Sequence, residues 1–136
     1  MTPFETLVYL REVLKLLPDV ASCKIGLEAN IVPESYPLIR LVPSLLLPQE
    51  VGALRRRTRL LVYFGVNLLE SSDGLEAVYE GLLNQEQAIR DAMMRTAVKA
   101  ACSQGKRIKV EYVDTITDED RLPLYKLMAS RFEVES

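Results

Sequence analysis

The hydrophobic positions near the start of the chain recur at helical spacing. Thr2, Pro3 and Glu5 have the order of a capping threonine, a proline in the first turn and a glutamate at the third helical position, which is typical of a helix start. We expect Pro18 and Asp19 to end this helix. The apolar side chains that mark its buried stripe are Phe4, Leu7, Val8, Leu14 and Leu17.

From residue 22 the spacing of apolar residues changes to two. Residues 22–31 alternate between apolar and polar positions, which predicts a strand with one face on a core and one in water. Residues 36–42 predict a second strand that Pro43 stops. Residues 59–70 are apolar on both faces, which is typical of a central strand.

The second half of the chain also predicts a helix followed by strands. Residues 71–74 have the composition of a helix cap, and the apolar spacing that follows predicts a helix with a break or kink near Asn84. Residues 106–115 and 123–135 predict two further strands. The fold class is therefore α+β: a mostly antiparallel sheet of about five strands with two main helices packed on one face, in the order α-β-β-β-α-β-β.

Composition indicates one soluble domain spanning residues 1–136. The chain has 49% hydrophobic and 26% charged residues, which is ordinary for a globular protein. Its net charge of −2 gives no general reason to expect a nucleic acid as main partner. No signal peptide or membrane span is expected, and two cysteines are too few for a disulfide framework, so we expect a reduced cytoplasmic environment.

Candidate catalytic chemistry is sparse in this sequence. The chain has no histidine, so Cys102 and the serines lack the usual base of a nucleophile. The carboxylates Asp114, Asp118, Glu119 and Asp120 do not have the spacing of a calcium loop and are expected to form a solvated loop. No catalytic, cofactor-binding or metal-binding residue is therefore predicted, and no cofactor.

The irregular segment 44–57 holds the predicted interface residues. Its three leucines have no obvious core to join, and exposed apolar runs often mark interfaces. Its arginines, with Arg59, suit phosphates or a carboxylate-rich partner, although a solvated loop would also accommodate them. The predicted interface residues are Leu45, Leu46, Leu47, Arg55, Arg56 and Arg57.

The order and length of these elements resemble one protein family. A helix, an alternating strand and a Tyr36-Pro37 segment precede the strand RTRLLVYFGVNLLES, the helix GLEAVYEGLL and two closing strands. This order resembles the tail-terminator, or tail-completion, proteins of long-tailed bacteriophages and prophages. The resemblance covers nearly the whole chain and lies in element order rather than in a motif.

The resemblance implies a structural protein of the virion tail that is assembled in the host cytoplasm. Such a subunit forms a homo-oligomeric ring of six copies that caps the tail tube and stops its growth. Its implied partners are other copies of itself, the tail-tube protein and the head–neck connector proteins, with transient passage of DNA through the ring. The resemblance implies no membrane partner.

Two other functions remain open from the sequence. One is a small-molecule-binding or regulatory oligomeric module of the ferredoxin-like type, which would need a pocket at a junction of sheet and helix or between subunits. The other is an enzyme that uses carboxylates only, with Asp114, Asp118 and Asp120 as candidates.

Overall fold

The computed structural model describes residues 2–27, 37–48, 56–67, 74–103, 108–117 and 125–135. The helices and strands within these residues follow the predicted order α-β-β-β-α-β-β, and the α+β class is confirmed. Their bounds are α1 Pro3–Lys15, β1 Ser22–Ile25, β2 Leu38–Leu46, β3 Arg57–Asn67, α2 Leu75–Ser103, β4 Lys109–Thr117 and β5 Tyr125–Glu135.

The first helix begins with the cap that the sequence predicts. The Thr2 hydroxyl accepts a hydrogen bond from the Glu5 backbone N–H, and the Glu5 carboxylate accepts one from the Thr2 N–H, both at 3.2 Å. This reciprocal pair satisfies N–H groups that a helix start otherwise leaves without partners. The helix ends at Lys15, with Leu16 as its C-cap, and so stops before the predicted Pro18.

The strands form one mixed sheet in the order β1-β2-β3-β5-β4. β1 and β2 run parallel, whereas the other neighbouring pairs are antiparallel. β3 lies at the centre, as its apolar residues on both faces predict, and pairs with β5 from Arg57 to Asn67. It begins two positions before the predicted start at Arg59.

Both helices pack on one face of the sheet and form the core with it. β3 contributes Leu60, Val62 and Phe64, of which none is more than 1% exposed. Because side chains alternate along a strand, Arg57, Arg59 and the other odd-numbered residues of β3 point away from the helices. We call this second side the outer sheet face.

The first strand is shorter than predicted. It ends at Ile25 because Gly26 takes a φ of +91°, a left-handed conformation that interrupts the strand and that glycine adopts without steric cost. Cys23 is buried as predicted, but Leu27, which was expected on the core side, is 45% exposed. The rest of the predicted strand, residues 28–31, lies outside the described residues.

The second strand continues through the proline that was expected to stop it. Pro43 pairs with Leu60 of β3, and the register then shifts before Leu45, which pairs with Arg59. A proline is tolerated at such an irregularity because the ladder already loses a hydrogen bond there. Leu45 and Leu46 therefore lie in β2 and not in a loop.

The second helix is continuous, and the predicted break near Asn84 is wrong. Residues 75–103 form one α-helix, in which Asn84 and Gln87 are exposed. This segment contains neither proline nor an internal capping geometry, and glutamine and glutamate are good helix formers. The cap-like composition near Asn84 therefore lowers the stability of the helix only slightly.

β4 runs from Lys109 to Thr117 and so extends two residues beyond its predicted end, and β5 runs from Tyr125 to Glu135. The predicted first residues of these strands, 106–107 and 123–124, lie outside the described residues. Ile108 and Val110 are buried while Lys109 and Glu111 are exposed, which confirms the predicted alternation.

Candidate functional site

The outer sheet face carries rows of side chains that cross four strands. One row consists of Leu45, Arg59, Glu133 and Glu111, which are direct neighbours on β2, β3, β5 and β4. Residues directly opposite each other on antiparallel strands share a face and bring their Cβ atoms within about 5 Å. The adjacent rows add more charged residues, and we call the whole set the charged ladder: Arg57, Arg59, Lys109, Glu111, Asp114, Arg131, Glu133 and Glu135.

The strongest contact in the charged ladder joins Arg131 to Asp114. Both oxygens of the carboxylate accept hydrogen bonds from the guanidinium, in the bidentate geometry that favours this pair. This hydrogen bonding lowers the pKa of Asp114 below its ordinary value of 3.8. The pair is exposed, so it orients the two side chains more than it stabilises the fold.

Arg59 is the cation of the charged ladder that has no ion pair among the described residues. The carboxylate opposite it, Glu133, instead contacts Arg57 at 3.4 Å, and Lys109 contacts Glu111 at 3.2 Å. Arg59 is also exposed on the outer sheet face. Its guanidinium is thus available to an acceptor on another molecule.

A groove of about 400 Å³ surrounds Arg59. It runs across the sheet from β2 to β4, with apolar side chains at both ends and charged groups between them. Its side chains include those of Ser44, Leu45, Arg59, Val113, Arg131 and Glu133. A groove with this distribution fits a partner that is apolar at two ends and polar in the middle.

Three exposed apolar side chains lie beside the charged ladder. Leu45 is 44%, Ile116 49% and Val113 54% exposed. Val113 stands out because β4 changes register between Tyr112 and Asp114, which leaves Val113 without a paired residue on β5. Single exposed apolar residues are common, but Leu45 and Val113 both line the groove that holds the unpaired Arg59, and such a cluster is typical of an interaction surface.

The predicted interface residues are divided between this surface and its edge. Leu45 lies in the groove, Leu46 is 47% exposed at the end of β2, and Leu47 is half-buried. Arg56 donates a hydrogen bond from Nε to the Leu47 carbonyl at 3.2 Å, and Arg57 belongs to the charged ladder. The sixth predicted residue, Arg55, lies outside the described residues.

A partly buried polar cluster holds β4 against α2 and β5. The Glu86 carboxylate accepts hydrogen bonds from the Tyr112 hydroxyl at 3.2 Å and the Thr115 hydroxyl at 3.1 Å, and Thr115 lies 2.9 Å from the Ser130 hydroxyl. Arg90 packs over the Tyr112 ring, 5.1 Å from its centroid. Every hydroxyl in this cluster has a partner, so we interpret it as structural support for the edge strand.

A second charged group is buried on β2. The Arg40 side chain is fully buried and donates hydrogen bonds from Nη1 to the Ser22 hydroxyl at 3.0 Å and to the Ile39 carbonyl at 2.9 Å. Its contacts with Ser22 tie β1 to β2. A buried guanidinium needs such partners, because an unsatisfied charge is costly away from water.

The other candidate reactive groups do not form a site in the described part of the chain. Burial raises the pKa of the Cys23 thiol to about 11, so this thiol stays protonated and unreactive near neutral pH. Asp114 is engaged by Arg131, whereas Asp118, Glu119 and Asp120 lie outside the described residues. No group of three or more potential metal ligands occurs among the residues that the structure describes.

A separate pocket of about 360 Å³ lies at a junction of helix and sheet. It is formed where the segment after α1 meets α2 and the end of β3. Leu17, Val20 and Val66 supply apolar walls, and Asn84 and Gln85 supply amides. Its size falls within the range of small-molecule sites.

Sequence reasoning missed the central part of the outer sheet face. Arg131, Glu133 and Val113 were not singled out, because strand partners and the register shift that exposes Val113 depend on tertiary pairing. One usable signal was present in β4, where Lys109 and Glu111 alternate with apolar residues. Glu86 gave no signal, since a glutamate among other polar helix residues is ordinary.

No protein-family model matches this chain, and no curated protein matches it. Among the described helices, none combines the length and apolar composition needed to cross a bilayer. The physical features that bear on function are therefore the outer sheet face and the pocket beside α2.

Proposed function

We propose that the chain is a non-catalytic subunit of a ring that ends the tail tube of a long-tailed bacteriophage or prophage. The ring caps the last disc of the tube, stops its growth and offers a surface to the head–neck connector proteins. The observation that carries this proposal is the outer sheet face, where exposed Leu45 and Val113 line the groove at Arg59. Such a surface suits protein contacts better than catalysis.

The element order supports the same function. The order α-β-β-β-α-β-β is the one on which the resemblance to tail-terminator proteins rests. A closed ring needs two different patches on each subunit, and a two-layer molecule offers one on its helices and one on its sheet. We take the assembly to be a hexamer in the virion tail, with DNA passing transiently through its lumen.

Capping of tubes is the direct test. Tail-tube protein from the same phage or prophage is polymerised with and without the purified chain, and tube length and tube ends are recorded by electron microscopy. We expect shorter tubes with an added ring at one end. Tubes of unchanged length with bare ends, at an excess of the chain, would contradict the proposal.

A matched pair of variants links capping to the outer sheet face. Val113→Asp places a charge on a side chain that is 54% exposed and should abolish capping without unfolding the protein. Leu16→Asp also replaces an exposed apolar side chain with aspartate, at the end of α1, where Leu16 is 85% exposed. This variant should cap tail tubes as the wild type does. Equal loss of capping in both variants would point away from this surface.

A small-molecule-binding or regulatory module is the second candidate, and the pocket beside α2 favours it. The element order differs from the β-α-β-β-α-β order of the ferredoxin-like fold, so this candidate rests on the pocket alone. Gly81 lines the pocket with open space where a Cβ would stand, so Gly81→Leu should fill it. A metabolite that raises the melting temperature of the wild type but not of this variant would support binding there.

A further inference from the structure

The exposed side of α2 has a pattern that complements the groove on the sheet. Leu83, Gln87, Asp91 and Met94 recur every three or four residues and so lie in one stripe along the helix. Leu83 is 55% and Met94 42% exposed, with the polar pair between them. We call these four residues the outer helix face.

The charge at the centre of the outer helix face is also unpaired. Asp91 accepts a hydrogen bond from Gln87 at 2.9 Å but forms no ion pair among the described residues. Arg59 is the corresponding unpaired cation in the groove. Each surface therefore has an apolar residue at both ends and one unmatched charge between them, and the two charges have opposite sign.

From this match we infer that the outer helix face of one copy of the chain docks into the Arg59 groove of a second copy. This inference rests on the proposed function, because it names the two patches through which a ring subunit would meet its neighbours. The two faces lie on opposite layers of the molecule and cannot meet within one chain. The contact is therefore head-to-tail, the type that generates rings.

The spacing of the two surfaces supports one register. Leu83 and Met94 are 11 positions apart, which is about 16 Å along a helix, and β2 and β4 are separated by three strand spacings, about 14 Å. With Met94 over Leu45 and Leu83 over Val113, the helix crosses the strands from β2 to β4. Asp91, one turn before Met94, then lies over Arg59, which is one strand from Leu45.

A second copy fits this groove better than a nucleic acid does. Glu133 lines the groove, and Glu111 and Asp114 stand beside it on β4. A phosphate backbone would meet these carboxylates together with Arg59, whereas the outer helix face brings one carboxylate and two apolar side chains. Gln87 would lie nearest Glu133, and its amide can donate a hydrogen bond to that carboxylate.

Charge reversal with rescue tests the inference on the full-length chain. Arg59→Glu and Asp91→Arg each place like charges together, and each should weaken self-association about tenfold in sedimentation equilibrium. The double variant restores opposite charges and should return to within about threefold of the wild type. Lys15→Glu and Glu12→Arg make the same charge changes on exposed positions of α1 and should leave association unchanged.

The outcomes separate this inference from the proposed function. If the wild type associates but the single variants do so equally well, or the double variant is not rescued, the docking is wrong while a ring subunit remains tenable. If Arg59→Glu alone weakens association, the second copy contributes a different surface and the docking is again wrong. A wild type that stays monomeric at all concentrations, with and without tube protein, would refute both. Circular dichroism of each variant establishes that it is folded.

Discussion

Removing the Glu86 carboxylate should loosen the edge strand β4. Glu86→Ala deletes the acceptor of the Tyr112 and Thr115 hydroxyls, which lie 3.2 and 3.1 Å from the same oxygen. The substitution changes no core volume on the sheet itself. Its main effect is therefore on hydrogen bonding within the polar cluster.

The expected cost follows from how many hydroxyls lose their partners. A buried polar group without a partner costs about 1–3 kcal/mol. The remaining hydroxyls can still bond to one another, because Tyr112 and Thr115 are 2.6 Å apart and Thr115 and Ser130 are 2.9 Å apart. Three hydroxyl donors then share two contacts, so one hydroxyl rather than two is left without an acceptor. The ion pair between Arg90 and Glu86, at 3.7 Å and partly exposed, adds a few tenths of a kcal/mol. We expect a total loss of about 2 kcal/mol.

Urea denaturation followed by circular dichroism measures this loss. Glu86→Gln is the matched control, because it keeps an acceptor oxygen in nearly the same place and should lose less than half as much stability. A Glu86→Ala variant within about 0.5 kcal/mol of the wild type would refute the reasoning. It would mean that the hydroxyls find other partners and that the cluster does not hold β4 in place.

Three further predictions concern single residues. Because the pKa of Asp114 is lowered in the folded state, its contact with Arg131 stabilises the fold above pH 3.8, and this stabilisation is lost as the pH falls through the folded-state pKa. The melting temperatures of Asp114→Asn and the wild type should therefore converge at low pH. Because the Cys23 pKa is raised to about 11, native protein at pH 8 should resist alkylation of Cys23 in peptide-resolved mass spectrometry, whereas urea-unfolded protein should react readily. Thr2→Ala should cost about 1 kcal/mol in urea denaturation by removing the cap of α1, and an unchanged midpoint would show that the capping box contributes nothing.

The element order could be predicted from the sequence because hydrophobic spacing reports it directly. The capping box at Thr2 and the two-sided apolar pattern of β3 depend on local or nearly local signals. The errors share one cause, which is that a residue type allows more than one conformation. Gly26 ends β1 through a positive φ, and Pro43 is accommodated within β2 by a register shift.

The candidate site could be predicted only in part. Leu45 and the arginines near it were found because exposed leucines and clustered charges are visible in one segment of sequence. The groove also needs Val113, Arg131 and Glu133, which are distant in sequence and reach Arg59 through the pairing of β3, β5 and β4. Arg59 lacks an ion pair because of these cross-strand neighbours. Local sequence therefore could not predict which arginine would be unpaired.

The proposal that the chain is a ring subunit is tested most directly by the mass of the purified protein in solution. Light scattering across a concentration series should show either a discrete species at a multiple of the 15.4 kDa chain, six copies for a hexamer, or a monomer whose mean mass rises with concentration. A monomer or a dimer whose mass does not change with concentration would contradict ring formation and favour the ligand-binding module.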